Sequence, residues 1–264
     1  MAPINKPLAM VTGGSSGIGF ELAKQFAEHG YDVAISGSSE RVFAAAHELA
    51  ALGCTAYPHR ADAATFEGVE SFWRYVLDLG RPVDAAALNV GIGLGGAFID
   101  NGLEDELRLI AINISGLVHM AKRVARHMAA NGHGRILITS SISATMPTPF
   151  ETVYGPSKAF GFSSAESLRE ELRGTGVTVS ALLPGATDSE FHKNAGMDNT
   201  SLQHQKKNDK RLVAQQGYNA LMNDEDHVVG GDEATKRLAI KNRTTPEPVK
   251  AARHAQSTRP AVFR

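Results

Sequence analysis

Short apolar runs alternate with longer stretches in which apolar residues recur every three or four positions, and the alternation continues along most of the chain. The run 8–11 predicts a first strand; Phe20, Leu22, Ala23, Phe26 and Ala27 then recur at helical spacing up to Gly30, a natural C-terminal stop. Residues 32–36 predict a second strand and 40–51 a helix for which Ser39 is a suitable N-cap. A third strand is expected at 54–59, followed by a helix at 65–79 that carries Phe66, Val69, Phe72, Trp73 and Val76 at helical spacing and Thr65 as its cap. A fourth strand at 83–88 leads through a glycine-rich stretch to a long helix at 104–131, with the polar Asn113 inside it. Residues 136–141 predict a fifth strand, 154–173 a helix, and 177–183 a sixth strand stopped by Pro184 and Gly185.

Strands alternating with helices predict an α/β fold: a doubly wound parallel sheet of the Rossmann kind, with helices on both faces. In such sheets a ligand crevice lies beyond the carboxyl ends of the strands. Gly13, Gly37, Asp62, Asn89, Ser141 and Pro184 each fall at the end of a predicted strand, so the candidates converge on one edge.

Composition narrows the reading. At 264 residues with 42% hydrophobic content, the chain suits a single large α/β domain. A net charge of −1 gives no electrostatic case for nucleic acid or an anionic membrane. No stretch approaches about 20 apolar residues, the opening residues 1–7 read as a short polar lead-in, and the single cysteine, Cys54, has no internal partner. A soluble, cytoplasmic protein is expected. The ten histidines show no HExxH or paired-ligand spacing, and no metal site is expected.

Two stretches carry candidate chemistry. Thr12-Gly13-Gly14-Ser15-Ser16-Gly17-Ile18-Gly19 lies between the first strand and an amphipathic helix. There, glycines permit a tight turn and let backbone N–H groups approach a pyrophosphate at a helix N-terminus. No Gly-Lys-Ser/Thr follows, so it is not a P-loop. The end of the second strand bears on cofactor choice, because an acidic residue there would bind a ribose 2′-hydroxyl and repel a 2′-phosphate. Gly37 stands in that place, with Ser38, Ser39 and Arg41 after it, which favours NADP over NAD. In the second stretch Tyr154 and Lys158 are four residues apart on a predicted helix and therefore neighbours. A lysine ammonium beside a phenol pulls its pKa down toward neutral pH, and Ser141 from a strand end could hold a substrate oxygen against it. Alone, a Tyr-x-x-x-Lys pair is a weak signal; beside a dinucleotide turn it gains weight.

Taken together, Thr12-Gly13-x-x-x-Gly17-Ile18-Gly19, Asp62, Asn89-x-Gly91, Asn113, Ser141, Tyr154-x-x-x-Lys158 and Pro184-Gly185 resemble the short-chain dehydrogenase/reductase family in order and spacing, over about residues 6–191. The resemblance implies an NAD(P)-dependent oxidoreductase interconverting a carbonyl and a secondary alcohol. It implies Tyr154 as acid/base, Ser141 holding the reacting oxygen, Lys158 binding the nicotinamide ribose and lowering the Tyr154 pKa, and Asn113 kinking its helix and holding a water. Asp62 and Ala63 would contact the adenine, Asn89 and Gly91 would line the groove, and Pro184, Gly185, Thr187 and Ser189 would contact the nicotinamide and its phosphates.

The chain departs from the family pattern in three places. No basic residue precedes Gly17; Ser189 replaces the usual Thr; and the usual C-terminal Val-Asp-Gly-Gly strand is reduced to His227-Val-Val-Gly230-Gly231. Residues 188–226 are expected to form a substrate lid with one amphipathic helix near 207–222, and 232–264 a polar tail, either disordered or covering a neighbour's site. The resemblance makes a homodimer the default, with a tetramer less secure. The competing reading is a dinucleotide-binding sensor or partner module without turnover, which has no need to keep Asn113, Ser141, Tyr154 and Lys158 together.

Overall fold

In the computed structural model, residues 6–197, 200 and 206–260 are described. Residues 1–5 of the expected lead-in, Leu202 of the expected lid and residues 261–264 of the expected tail lie outside the described residues.

The strands are β1 (Leu8–Thr12), β2 (Asp32–Gly37), β3 (Ala56–Arg60), β4 (Ala85–Leu88), β5 (Gly134–Thr139), β6 (Val177–Pro184) and β7 (His227–Gly230). They form one sheet in the order β3-β2-β1-β4-β5-β6-β7, with every pairing parallel. The order reverses between β1 and β4, where Thr12 lies in register with Leu88. A crevice at the carboxyl edge is expected at such a reversal.

The sheet is covered on both faces, so its central strands are buried throughout and read as continuous apolar runs. Alternate residues go to opposite faces: Leu8 and Met10 join one core with Ala86 and Ile136, while Ala9 and Val11 join the other with Ile35 and Leu137. Helices α3 (Phe66–Leu77), α5 (Leu117–Asn131) and α6 (Tyr154–Glu171) close the first face; α1 (Gly17–Glu28), α2 (Arg41–Ala50) and α8 (Lys210–Met222) close the second. Between them α4 (Leu103–Ile110) precedes α5, and a short α7 (Phe191–Asn194) follows β6.

Four expectations are corrected. The helix expected at 104–131 is interrupted by a π segment, Ala111–Gly116, which contains Asn113. Here Gly116 faces the Ala63 carbonyl oxygen so closely that a Cβ would sit 2.4 Å from it. Ser39 does not cap α2 through its side chain; the cap position is Glu40, and Ser39 gives only its carbonyl to Val42 N at 3.2 Å.

The helix expected in the lid, α8, is a core helix. Val213, Ala214, Tyr218 and Leu221 form a buried stripe with Leu22 and Phe26 of α1, and the Tyr218 and Phe26 rings meet edge-on at 5.4 Å. The amphipathic helix is present, but its apolar stripe packs on the core and its polar residues occupy the outer face. Finally, residues 232–258 are not a loose tail. They form α9 (Glu233–Thr244) and α10 (Glu247–Thr258). Asp232 caps α9 by accepting from Thr235 N at 3.0 Å. Pro246 and Pro248 stand at the start of α10, where the first-turn N–H groups have no helical partners and proline is tolerated.

Candidate active site

A cleft of about 1730 Å³ opens at the carboxyl edge of the sheet. Gly13, Ser15, Ser16, Gly17 and Ile18 line it from the first turn, Ser38 and Arg41 from beyond β2, and Asp62 and Ala63 from beyond β3. Asn89 and Gly91 enter from beyond β4, Ser141 from beyond β5, Tyr154 and Lys158 from α6, and Pro184, Gly185, Thr187 and Ser189 from beyond β6. Of the residues expected at the site, Gly19, Ser39 and Asn113 do not line it.

Gly13 and Gly17 hold positive φ values of 67° and 58°, which glycine adopts without the usual Cβ penalty. Gly19 sits beneath them: a Cβ there would lie 2.2 Å from the Gly13 carbonyl oxygen and 2.4 Å from Asn89 Nδ2. The α1 N-cap, Ser16, makes no side-chain capping bond, so the first-turn N–H groups face the cleft without a side-chain acceptor from it. Gly37 explains its own identity, because a Cβ would come within 2.8 Å of Ser15 Oγ. Across the turn, Ser189 lies against Gly17, 3.7 Å from where its Cβ would be. A narrow, glycine-floored cradle ending in a helix N-terminus fits a dinucleotide pyrophosphate.

At the outer end, Arg41 Nη1 is 2.7 Å from Glu190 Oε2, an exposed pair that bridges α2 and the segment after β6. Asp62 Oδ1 accepts from Ala64 N at 3.0 Å, and Arg108 reaches the same carboxylate at 3.2 Å. The backbone bond from Ala64 and then the Arg108 guanidinium hold the Asp62 carboxyl below its ordinary range. Glu190 and Arg108 were missed by sequence reading. Neither belongs to a motif, and their proximity to Arg41 and Asp62 is created by the fold.

At the inner end, Tyr154 and Lys158 are both buried. Lys158 Nζ lies 5.8 Å from the Tyr154 ring centroid and donates to Thr139 O at 3.2 Å. Gly91 is pressed against this cation, since a Cβ there would be 2.7 Å from Nζ. Burial pushes the Lys158 ammonium down to about 8. Burial also raises the Tyr154 phenol above its ordinary value, the Glu151 carboxylate adds to the rise, and a hydrogen bond with Ser141 opposes it. Lys158 is not among the groups that lower the phenol in this structure, where loss of water around the phenolate dominates.

Asn113 lies behind the cleft and supports it. Its Oδ1 accepts from Ile92 N at 2.9 Å, and its Nδ2 donates to Ile92 O at 2.9 Å and to Ser157 Oγ at 3.0 Å. One side chain thus ties the π segment to the loop after β4 and to α6. Ser140 Oγ donates to Lys158 O at 2.7 Å, fastening β5 to the same helix.

In the sequence Met146, Pro147, Phe150 and Phe191 suggest an apolar wall; Met146 and Phe191 line the cleft, Pro147 and Phe150 do not, and Ile142, Glu151, Leu238 and His254 were not anticipated. Ile142, Met146 and Glu151 follow β5, Phe191 leans on Tyr154 with ring centroids 5.2 Å apart, Leu238 comes from α9, and His254 comes from α10. Among the described residues one set of metal-capable side chains lies together, Glu166, Asp226 and His227, and it does not line the cleft. The His227 ring is held between Asp226 Oδ2 at 3.0 Å and Arg243 at 3.1 Å.

The arrangement has known counterparts. The family model for short chain dehydrogenases matches residues 7–200. The chain belongs to this family. It is 35% identical over 191 residues to a Mycobacterium tuberculosis protein named "Probable oxidoreductase EphD", covering 72% of this chain and 32% of that one. The chain thus spans about a third of the length of that curated relative. An uncharacterized oxidoreductase of Staphylococcus epidermidis is 30% identical over 190 residues, 72% of this chain and 81% of the relative. Among solved structures, a short-chain dehydrogenase from Sphingobium yanoikuyae in complex with NADPH superposes with a TM-score of 0.81 at 25% identity, covering 90% of this chain and 93% of that one. A Burkholderia cenocepacia short chain dehydrogenase in complex with NADP gives 0.74 at 29% identity over 85% and 96%. This short-chain dehydrogenase therefore has the Rossmann-like parallel sheet of an oxidoreductase family that binds NAD(P). Among its described residues no helix is long and apolar enough to cross a membrane.

Proposed function

We propose that the protein is an NADP(H)-preferring oxidoreductase that interconverts a carbonyl and a secondary alcohol. The observation that carries the proposal is the convergence of Ser141, Tyr154 and Lys158 in the same cleft as the glycine cradle.

The cradle of Gly13, Ser15, Ser16, Gly17, Ile18 and Gly19 would hold the pyrophosphate, and Asp62 and Ala63 the adenine. Lys158 would hold the nicotinamide ribose, with Asn89 and Gly91 beside it. Pro184, Gly185, Thr187 and Ser189 would close over the nicotinamide end. Ser38 and Arg41, with Ser39 at the exposed rim, would receive a 2′-phosphate, and no carboxylate at the end of β2 opposes it. The NADPH and NADP bound by the two solved relatives support this preference. The nicotinamide supplies a hydride in reduction and takes one in oxidation.

In reduction, Ser141 and Tyr154 donate hydrogen bonds to the substrate carbonyl oxygen, orienting and polarising it. The Tyr154 Oη proton passes to that oxygen as its carbon gains the hydride, so the carbonyl becomes an alcohol. Burial keeps the phenol protonated at neutral pH, as a donor must be, while its raised pKa makes it a weaker acid than a free phenol. Lys158 and the Asn113 support behind it form the path for returning the proton, with Asn113 holding a water. The working assembly in this reading is a homodimer in the cytoplasm, a setting consistent with the buried, unpaired thiol of Cys54.

The test is oxidation of NADPH and NADH across a panel of ketones, aldehydes and keto sugars, with Tyr154→Phe alongside. Turnover should fall about 100- to 10,000-fold in the mutant, the range for losing a positioned acid, with NADPH affinity within about twofold. Loss of NADPH binding in Tyr154→Phe would overturn the role given to this residue. Absence of turnover with every carbonyl, despite NADPH binding, would instead favour a sensor module.

A further inference from the structure

The C-terminal helices reach the site at a place none of the glycine motifs touch: the segment 145–151, which joins Ser141 to Tyr154. Asn242 Nδ2 donates to Thr145 Oγ1 at 2.9 Å, and Lys250 Nζ to Thr145 O at 3.2 Å. Thr258 Oγ1 lies 2.9 Å from Pro149 O, and the Arg259 guanidinium stands 5.4 Å over the Phe150 ring. His254 Nε2 lies 3.0 Å from Glu151 Oε2, and both side chains are buried and line the cleft.

The grip is transmitted to both reacting hydroxyls. Glu151 O accepts from Gly155 N at 3.2 Å, so Glu151 belongs to the turn that starts the Tyr154 helix. At the other end Thr145 Oγ1 donates to Ile142 O at 2.7 Å, and Ala144 N donates to Ser141 O at 3.0 Å. Between them Phe150 holds a φ of 64°, a region bulky residues avoid unless their surroundings impose it. Thr148 lies so close to Gly155 that a Cβ there would be 2.1 Å from Thr148 Oγ1. A segment this constrained, gripped by α9 and α10 at Thr145, Pro149, Phe150 and Glu151, has little freedom to relocate. Because the Glu151–His254 pair is shielded from water, deleting one partner leaves the other buried and uncompensated.

We propose that His254, through its pair with Glu151, is a positioning residue, and that α10 is a clamp from the same chain that sets where Ser141 and Tyr154 stand relative to a substrate oxygen. The kinetic consequence rests on the carbonyl chemistry proposed above; the structural consequence does not.

The experiment compares full-length wild type with His254→Ala and His254→Gln. It measures hydrogen exchange of the peptide spanning 145–151, NADPH affinity by fluorescence titration, and kcat and KM with a carbonyl that the wild type reduces. In His254→Ala, exchange in that peptide should rise at least about fivefold while β1 and β4 stay protected. Its kcat should fall about 10- to 100-fold, the cost of a displacement near 1 Å, with NADPH affinity within about twofold. The amide of His254→Gln can still donate to Glu151 and should recover most of both effects. Unchanged exchange in His254→Ala, no recovery with Gln, or a loss of NADPH affinity in step with kcat would each overturn the proposal. Should His254→Ala fail to fold, Thr258→Val decides in the same way, with a smaller rise in exchange expected. If the wild type reduces no carbonyl, the proposed function fails while the exchange result still decides the clamp.

Discussion

The two sides of the cleft are built by different means. On the dinucleotide side the surface is mainly backbone: Gly13 and Gly17 in left-handed conformations, Gly19 packed under a carbonyl, and a helix start whose N–H groups face inward. On the side facing Tyr154 it is side chains: Ile142, Met146, Glu151, Phe191, Leu238 and His254, drawn from four separate segments, the stretch after β5, α7, α9 and α10. Backbone recognition demands particular residues at fixed spacing, because only glycine tolerates those approaches. A side-chain wall demands only that something of suitable shape arrive, so its residues carry no pattern. The family match ends at residue 200, before α9 and α10, which supply Leu238 and His254 to that wall.

The largest way to break that contrast is on the backbone side. Gly19→Ala places a methyl group against the Gly13 carbonyl, which has no flexible end to yield. Displacing the turn forfeits at least two charge-assisted hydrogen bonds to a pyrophosphate, so NADPH affinity should fall on the order of 100-fold, measured by fluorescence titration. Unaltered affinity would mean that the turn is not the dinucleotide seat.

A smaller effect sharpens the account of the cofactor. Arg41→Ala should weaken NADPH about tenfold, the order expected from one charge-assisted bond, and leave NADH within about twofold. Equal weakening of both would assign Arg41 to the pyrophosphate or to holding Glu190, and would remove it from 2′-phosphate recognition.

The smallest effect lies where the two sides meet. Lys158 titrates at about 8 in the folded protein, below the ordinary lysine value of 10.5. Between those values the unfolded chain binds more protons than the folded one, so this residue makes stability rise with pH across that window. Relative to Lys158→Met, the wild type should therefore gain stability from pH 8 to pH 10, read as a rise in the wild-type Tm minus that of the variant. A constant difference would show that Lys158 is not desolvated as the fold implies.

Much of the fold was legible because its physics is local. Strands buried on both faces read as unbroken apolar runs, and Phe26, Phe72 and Val76 mark helix faces at regular spacing. Tyr154 and Lys158 were readable because four residues make one helical turn. What escaped was polar and distant. Asn242, Lys250, His254 and Thr258 are buried polar side chains bonded to partners on 145–151, and hydropathy counts them as surface. The Arg41–Glu190 and Asp62–Arg108 pairs likewise join residues that nothing in the sequence relates. The raised phenol of Tyr154 escaped because spacing registers a neighbouring cation but not the loss of water around both groups.

The grip of α10 on the 145–151 segment also has a consequence for the order in which the protein comes into being. Glu151 and His254 are separated by 103 positions and Pro149 and Thr258 by 109, so these bonds close long loops. Chains fold largely from the N-terminal end as they emerge during synthesis, and distant contacts bear the greatest closure entropy. The turn at Gly13–Gly19 and the strands flanking it exist long before residue 254 has been made. If Tyr154 has the role proposed above, the segment that carries it would gain the restraint of α10 only after residue 254 has been made, later than the turn at Gly13–Gly19.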